Sequence, residues 1–396
     1  MANKIYDIDG NELVASSEDS VVINWNLPKI YITCDTAYSD VTKETSVKGE
    51  LKYYDGKKKI DLPIKFKLQG NYSINYNKVN LNITFYEDDT FDNKKKITFG
   101  SWYPTNKIHL KANLYDYSMV RNSVGTRIAH DFFGMNLPQG CSGYIDSFPC
   151  ILYYNDEFKG CYTLNLPQDG KTYNFDDEKE LACTNLAFRT DSYSQYTTLS
   201  DWEYRGDEDV TNDMNTVFNN LLSVIGSDSL TKETIEANFD VPSLLGYILF
   251  CQIGYCSDSI INNWTLVTWD GVIWYHTMYD LDICFGLPHS GAPAQTSADV
   301  FTSTTQGGQN AFFPQVISLY EAELKEMYAN WRNHGFNAES IAERFTDFQS
   351  QWGWENIVAD KTLWADEQQT SVDASEIKAW LEARLTYCDT LYDYTE

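Results

Sequence analysis

Polar residues with the spacing of a phosphoryl-transfer site follow an apolar segment in the middle of the chain. Asp258 and Asn263 lie five positions apart in DSIINN, directly after VPSLLGYILFCQIGYC. Phosphoryl transfer depends on positioning and charge neutralisation, so it requires an Asp near the accepting hydroxyl and an Asn or Asp that binds the metal. We interpret Asp258 as the catalytic residue and Asn263 as a metal ligand.

A pair of acidic residues continues this pattern. Asp270-Gly271 lies between two alternating apolar runs, which is a strong hairpin signal, and the return strand reads into YDLDICFG. Asp280 and Asp282, at i and i+2 of a strand end, would point to one side and offer the oxygen ligands that Mg²⁺ prefers. We predict that both bind metal. The alternative, which spacing alone leaves open, is that these residues are loop caps and solvated turn carboxylates.

The elements that must position these residues change character along the chain. Residues 1–25 read as a polar N-terminal arm, residues 26–235 as a β-rich N-lobe with an acidic insertion, and residues 236–396 as a helical C-lobe that carries the metal-site hairpin. Asp240 is a candidate N-cap of the apolar helix. This order predicts an α+β fold, specifically a two-lobed protein-kinase-like fold.

Composition restricts the partners. The 396 residues contain 30 Lys and Arg against 57 Asp and Glu, a net charge of −27, which argues against nucleic acid and anionic lipid. No apolar run is long enough to span a membrane. The first residues lack a basic segment followed by an apolar run, so they do not resemble a signal peptide. We therefore expect synthesis in a cytoplasm, with later incorporation into a virion or coat assembly as one outcome.

Three motifs resemble the spore-coat CotH kinase family, an atypical protein-kinase-like group. KIHLKANLYDYSMVRNSVGTRIAHDF resembles the family's leucine-rich strand and following helix, YYNDEFKGCYTLNL is similar to its NGEYxGxYxLxE hairpin, and YDLDICFG resembles WDLDxxFG. The resemblance extends from about residue 27 to residue 391. It implies an ATP- and Mg²⁺-dependent transfer of phosphate to Ser or Thr hydroxyls of proteins.

The resemblance also implies a nucleotide-binding turn. LQGNYSINYNK is similar to the family's RGNSSxxxxKK, and the matching positions are Gly70, Asn71, Ser73 and Lys78. Lys78 would pair with a phosphate of ATP; its alternative is a solvated strand lysine. His276 on the hairpin is interpreted as a packed histidine rather than a base.

Three positions depart from the family pattern. Gln69 replaces an Arg, Val79 replaces the second Lys of the Lys-Lys pair, and Leu166 replaces a Glu. These losses favour a second hypothesis, a bacteriophage tail or baseplate protein, structural or host-attaching, that carries a degenerate CotH-like domain. Its partners would be virion proteins instead of a protein substrate. A carbohydrate-binding module is a third reading, which rests on the aromatic content alone.

Overall fold

The computed structural model describes residues 5–6, 12–13, 27–70, 73–99, 102–134, 137–138, 144–191, 196–287, 295–303, 311–367 and 374–395. The chain forms two compact units, each assembled from separate stretches of sequence. The barrel unit comprises Met1–Met119, Ser147–Leu166 and Asp347–Val372. The helical unit comprises Val120–Asp146, Pro167–Thr346 and Asp373–Glu396.

Seven strands of the barrel unit close into a barrel. The N-terminal arm contributes a separate two-stranded pair, β1 (Ile5–Tyr6) and β2 (Glu12–Leu13). The barrel strands are β3 (Lys29–Thr33), β4 (Val47–Tyr54), β5 (Lys59–Gln69), β6 (Asn80–Phe85), β7 (Lys107–Lys111), β8 (Ser147–Tyr154) and β9 (Glu157–Asn165). Their order is β3-β4-β5-β6-β7-β9-β8, and a parallel pairing of β3 with β8 closes the ring.

Alternation of apolar residues explains why these segments form a barrel. Leu81, Ile83 and Phe85 on β6 are fully buried, and the residues between them are less so, which is the period of a strand with one face inward. Hairpins with turns at Asp55-Gly56 and Asn155-Asp156 join β4 to β5 and β8 to β9, and Asp-Gly between two alternating runs is a sequence typical of such a turn.

The helical unit contains a four-stranded antiparallel sheet in the order β11-β10-β12-β13, with β10 (Leu186–Thr190), β11 (Trp202–Tyr204), β12 (Thr265–Thr268) and β13 (Trp274–Thr277). The hairpin predicted at Asp270-Gly271 joins β12 to β13. The helices of the chain are α1 (Arg121–Ala129), α2 (Asp177–Leu181), α3 (Asn212–Ile225), α4 (Lys232–Glu236), α5 (Val241–Gly254), α6 (Val300–Ser303), α7 (Phe312–Leu319), α8 (Glu321–Asn333), α9 (Ala338–Ser350), α10 (Trp354–Leu363) and α11 (Glu376–Leu391).

Helix α5 is the buried centre of the helical unit. Asp240 caps it, because its side chain accepts a hydrogen bond from the Ser243 backbone N–H at 2.9 Å, as predicted. From Ser243 to Gly254 every residue is buried, as expected for a helix that is apolar on all sides. The helix ends where Tyr255 adopts a left-handed backbone conformation, with φ 50°.

Helix α10 belongs to the barrel unit although it lies late in the sequence. Just before it, the indole N–H of Trp352 donates to the carbonyl oxygens of Cys150 and Tyr162, on β8 and β9, at 3.2 Å each. Trp352 is fully buried. A segment close to the C-terminus therefore completes the packing of strands from the first half of the chain.

The mixed α+β fold is thus confirmed. The kinase-like arrangement of two lobes and the boundaries 26–235 and 236–396 stay predictions. Within the described residues, no helix combines the length and the apolar character needed to cross a bilayer.

Candidate active site

Asp258 and Asn263 are in direct contact in the loop that follows α5. Asp258 begins a short 3₁₀ turn, Asp258–Ile260, and its carbonyl oxygen accepts hydrogen bonds from the N–H groups of Asn262 and Asn263 at 2.8 and 3.0 Å. The Asn263 side-chain Nδ2 donates to Asp258 Oδ2 at 2.5 Å. The five-residue spacing therefore places an amide beside a carboxylate.

An arginine that the sequence analysis missed supplies positive charge to the same site. Arg189 on β10 pairs across the sheet with Thr265 on β12. Its guanidinium lies 4.9 Å from the centre of the Tyr279 ring, and its Nη2 contacts Glu203 Oε2 at 2.8 Å. Its charge favours ionisation of the Asp258 carboxyl and opposes the effect of burial.

Asp280 lies beyond the strand on which it was expected. β13 ends at Thr277, so the i, i+2 alternation of a strand does not govern Asp280 and Asp282. Asp280 instead has a left-handed backbone, φ 54°, a conformation that Asp and Asn tolerate better than most residues. The following segment is anchored, since the Leu281 N–H donates to Asn122 Oδ1 at 3.1 Å and the Phe285 N–H donates to the Gly254 carbonyl at 2.8 Å.

Burial and a neighbouring carboxylate give Asp258 an unusual pKa. The pKa of Asp258 is raised to about 7, first by burial and second by the charge of Asp280, while Arg189 and the Asn263 hydrogen bond oppose the change. A carboxyl with a pKa near neutrality is suited to exchange a proton with a hydroxyl. Asp258 thus has the protonation behaviour required of a catalytic acid or base.

The predicted metal ligands are of types that suit a hard cation, and Asn263 and Asp280 are the two with an observed relation to Asp258. Asp280 offers a carboxylate, Asn263 an amide oxygen, and Asp282 a partly exposed carboxylate two residues farther along the chain. Oxygen donors of this kind bind Mg²⁺, which usually retains several waters and takes only one or two protein carboxylates. The carboxylates of Asp258, Asp280 and Asp282 do not all lie within 4.8 Å of one another in the described chain. Their metal-binding roles therefore stay predictions.

The pKa of Asp258 makes the stability of the metal-free protein depend on pH. The folded-state pKa is about 7, above the ordinary value of about 3.9. Because the Asp258 carboxyl binds its proton more tightly in the folded state than in the unfolded state, protonation of Asp258 adds to the free energy of unfolding. That added stability is fully present below pH 4 and is lost as the pH rises through 7. Urea unfolding in EDTA should therefore show stability falling between pH 5 and 8, by ~2 kcal/mol or more.

The variant Asp258→Asn removes the titrating group and should flatten this dependence. Asp228→Asn, which changes an exposed acidic residue of the same unit, should keep the wild-type slope. An unchanged slope in Asp258→Asn would show that other groups cause the pH dependence.

In the barrel unit, Lys78 forms a buried ion pair. Its Nζ lies 2.6 Å from Asp360 Oδ1 on α10, and neither side chain is exposed. The same ammonium donates to the Cys161 carbonyl at 2.8 Å and faces the Tyr162 ring at 5.0 Å. The alternative interpretation of Lys78 as a solvated lysine is therefore wrong. Lys78 precedes β6, which begins at Asn80, rather than lying within a strand.

The predicted glycine turn is visible in part. Gly70 has φ +107°, and a Cβ there would lie 2.2 Å from Ser73 Oγ, so the turn requires glycine. Ser73 Oγ donates to the Gln69 carbonyl at 3.3 Å and accepts from Asn80 Nδ2 at 3.0 Å. Asn71, the remaining predicted nucleotide contact, lies outside the described residues. The hydroxyl of Ser73 is thus held by the turn itself.

The three departures from the family pattern have distinct surroundings. Gln69 has a buried Oε1 to which no described residue donates a hydrogen bond. Leu166 and Val79 are buried apolar residues. An arginine or glutamate at such positions would require a charged partner.

Arg189 and Asp360 are the residues that sequence reasoning did not find. Asp360 is separated from Lys78 by most of the chain, and no local pattern distinguishes it from other acidic helix residues. Arg189 is one basic residue in an acidic segment. The sequence signal that could have indicated it is its position in an alternating run, LAFRT, which predicts a strand.

His276 is fully buried and burial lowers its pKa to about 3, so its interpretation as a packed residue is confirmed.

Comparison with known proteins identifies a family. A search of curated proteins finds no match. The family model described as "CotH kinase protein" matches residues 66–388, a range that includes Lys78, Arg189, Asp258, Asn263 and Asp280. Because this range is most of the chain, the protein belongs to the CotH kinase family.

Proposed function

We propose that this protein is an ATP- and Mg²⁺-dependent kinase that transfers phosphate to Ser or Thr hydroxyls of a protein substrate. The observation that carries the proposal is the contact between Asn263 Nδ2 and the carboxylate of Asp258 in the loop after α5, and the pKa of Asp258, raised by burial and by the charge of Asp280, supports it. Family membership supports kinase-like chemistry. The substrate class is the one that the family resemblance implies.

In this mechanism, Asp258 orients the accepting hydroxyl and receives its proton. A carboxyl with a pKa near neutrality can take the proton as the hydroxyl oxygen attacks the γ-phosphorus of ATP and the bond from this phosphorus to ADP breaks, and it can release the proton to solvent afterwards. Asn263 fixes the Asp258 carboxylate through Nδ2. Asn263 Oδ1, Asp280 and Asp282 would hold Mg²⁺, which neutralises charge on the phosphates when bound.

In the barrel unit, we assign nucleotide contacts to Lys78 and to the turn formed by Gly70, Asn71 and Ser73. Protein kinases require a lysine held by a carboxylate in order to contact ATP phosphates, and the Lys78–Asp360 pair supports this role. The ammonium of Lys78 already donates to two oxygens. Contact with a phosphate therefore uses its third donor or exchanges one of these partners.

Nucleotide binding and phosphate transfer test the proposal directly. ATP at 100 times its dissociation constant should stabilise the protein by roughly 2.7 kcal/mol, seen as a rise in melting temperature that requires Mg²⁺. Incubation with γ-labelled ATP and a Ser/Thr-containing acceptor should transfer label in wild type and not in Asp258→Asn. A wild type with neither a Mg²⁺-dependent shift nor transfer would refute the proposal.

Gln69 and Leu166 favour a second function, a bacteriophage tail or baseplate protein with a degenerate domain. Both positions lack the charged groups that the family pattern has. Under this alternative the protein binds virion partners instead of ATP. Neighbouring genes for tail and baseplate proteins, together with an absent ATP response, would support it.

A further inference from the structure

A compact group of carboxylates lies in the helical unit, outside the candidate active site. Asp177, Glu180 and Asp207 each place one oxygen within 4.8 Å of the others, and no other group of three or more possible metal ligands does so in the described residues. Asp177 and Glu180 lie on α2, whereas Asp207 follows β11. Two segments that are separate in sequence therefore meet at this group.

Glu180 has a buried oxygen that the protein leaves without a partner. The side chain is fully buried. Its Oε1 accepts hydrogen bonds from the Tyr204 hydroxyl at 2.6 Å and from the Glu208 N–H at 2.8 Å. The Asp207 backbone N–H also acts on this carboxylate, but no described donor lies within hydrogen-bond geometry of the buried Oε2. An unpartnered buried carboxylate oxygen is costly, so this atom indicates a ligand that carries positive charge.

The backbone approaches these carboxylates closely because two glycines flank them. A Cβ on Gly206 would lie 2.1 Å from Glu180 Oε1, and a Cβ on Gly170 would lie 2.9 Å from Asp207 Oδ2. One positive group is already present, since Lys171 Nζ contacts Asp207 Oδ2 at 2.8 Å. One ammonium beside three carboxylates leaves an excess of negative charge.

We propose that Asp177, Glu180 and Asp207 bind Ca²⁺. Calcium accepts oxygen ligands at about 2.3–2.6 Å in irregular geometries, whereas magnesium requires nearly octahedral geometry at about 2.0–2.1 Å and keeps several of its waters. Three carboxylates from two separate chain segments form an irregular all-oxygen donor set, which calcium tolerates better than magnesium does. This site is independent of the proposed kinase function.

The bound ion would join α2 to the segment that follows β11. Asp177 is exposed and Asp207 is partly exposed, so waters can complete the coordination sphere. Glu180 already ties α2 to Tyr204 on β11 through a hydrogen bond. Calcium would add a second connection at this edge of the four-stranded sheet, and its expected effect is on stability rather than on chemistry.

Luminescence of Tb³⁺, which substitutes for Ca²⁺, can detect the site because Tyr204 is close enough to sensitise the emission. The experiment uses the full chain with Asp280→Asn as background, so that the candidate active site does not contribute. Tb³⁺ should give sensitised emission that Ca²⁺ displaces and Mg²⁺ displaces at least tenfold less effectively. Ca²⁺ should also raise the melting temperature by several degrees.

The test variant adds Asp177→Asn, which changes an exposed side chain, and Asp207→Asn, which keeps the size of the side chain but weakens its ion pair with Lys171. Its affinity for Ca²⁺ should fall at least tenfold, and the melting-temperature shift should disappear. Glu178→Gln, which changes an exposed residue between Asp177 and Glu180, is the matched control and should behave like the background. Equal Tb³⁺ emission in the test and control variants, or equal displacement by Mg²⁺ and Ca²⁺, would overturn the proposal.

Discussion

Asp280→Asn should reduce Mg²⁺-dependent phosphate transfer by about 10³-fold or more, because a charge that holds the metal against the phosphates is lost. The same variant should leave the melting temperature of the metal-free protein unchanged or raise it. The charge of Asp280 opposes ionisation of the buried Asp258, so its removal relieves a repulsion. Loss of activity combined with retained stability separates a metal ligand from a structural residue.

The backbone at Asp280 makes Asn the appropriate replacement. Its φ is 54°, and Asn tolerates this left-handed conformation, whereas Ala would add strain. Asp156→Asn is a matched control, since Asp156 is exposed in a hairpin turn and has φ 64°. Activity in Asp280→Asn equal to that in Asp156→Asn would remove Asp280 from the mechanism.

Asp360→Ala should destabilise the barrel unit by about 3–5 kcal/mol, because it leaves the buried ammonium of Lys78 without its counter-charge. Lys361, the next residue on α10, cannot replace the lost carboxylate because it is itself a base. Burial and, second, the charge of Lys78 lower the pKa of Lys361 to about 8, which shows that the two lysines already repel each other. Urea unfolding at neutral pH should show the loss as a lower midpoint at a similar m-value.

A double variant separates the ion pair from its surroundings. Lys78→Met with Asp360→Leu removes both charges and should be less destabilising than Asp360→Ala alone, because no unpaired charge stays buried. Glu355→Ala, in the exposed first turn of the same helix, should cost less than about 1 kcal/mol. Lys78→Met and Asp360→Leu are also measured alone. If the free energy lost by the double variant equals the sum of the losses of these two single variants, the ion pair is not coupled.

Local patterns in the sequence predicted the hairpin at Asp270-Gly271 and the cap of α5, and they selected Asp258 and Asn263, which the structure shows in contact. Each of these depends on residues close together in the chain, where turn chemistry and hydrophobic period act directly. The end of β13 was predicted wrongly, because alternation continues through YDLD while the backbone leaves the sheet after Thr277. The alternation of apolar and polar residues therefore does not show at which residue the strand ends.

The partners of the charged residues could not be predicted. Asp360 contacts Lys78 because α10 packs in the barrel unit, and Arg189 affects Asp258 because β10 pairs with β12. Both relations depend on tertiary pairing over long separations. A single sequence shows which residues have the charge to form such pairs. It does not show which of the many Asp residues contacts which Lys.

The late position of α10 has a consequence for synthesis of the protein. The β3–β9 segments leave the ribosome well before Trp352 and Asp360, which bind Cys150, Tyr162 and Lys78. Until then Lys78 lacks the carboxylate of Asp360, and the strands lack part of their packing. The nascent barrel therefore stays incompletely stabilised while the residues between β9 and α10 are translated, and during that interval its strands are open to chaperone binding.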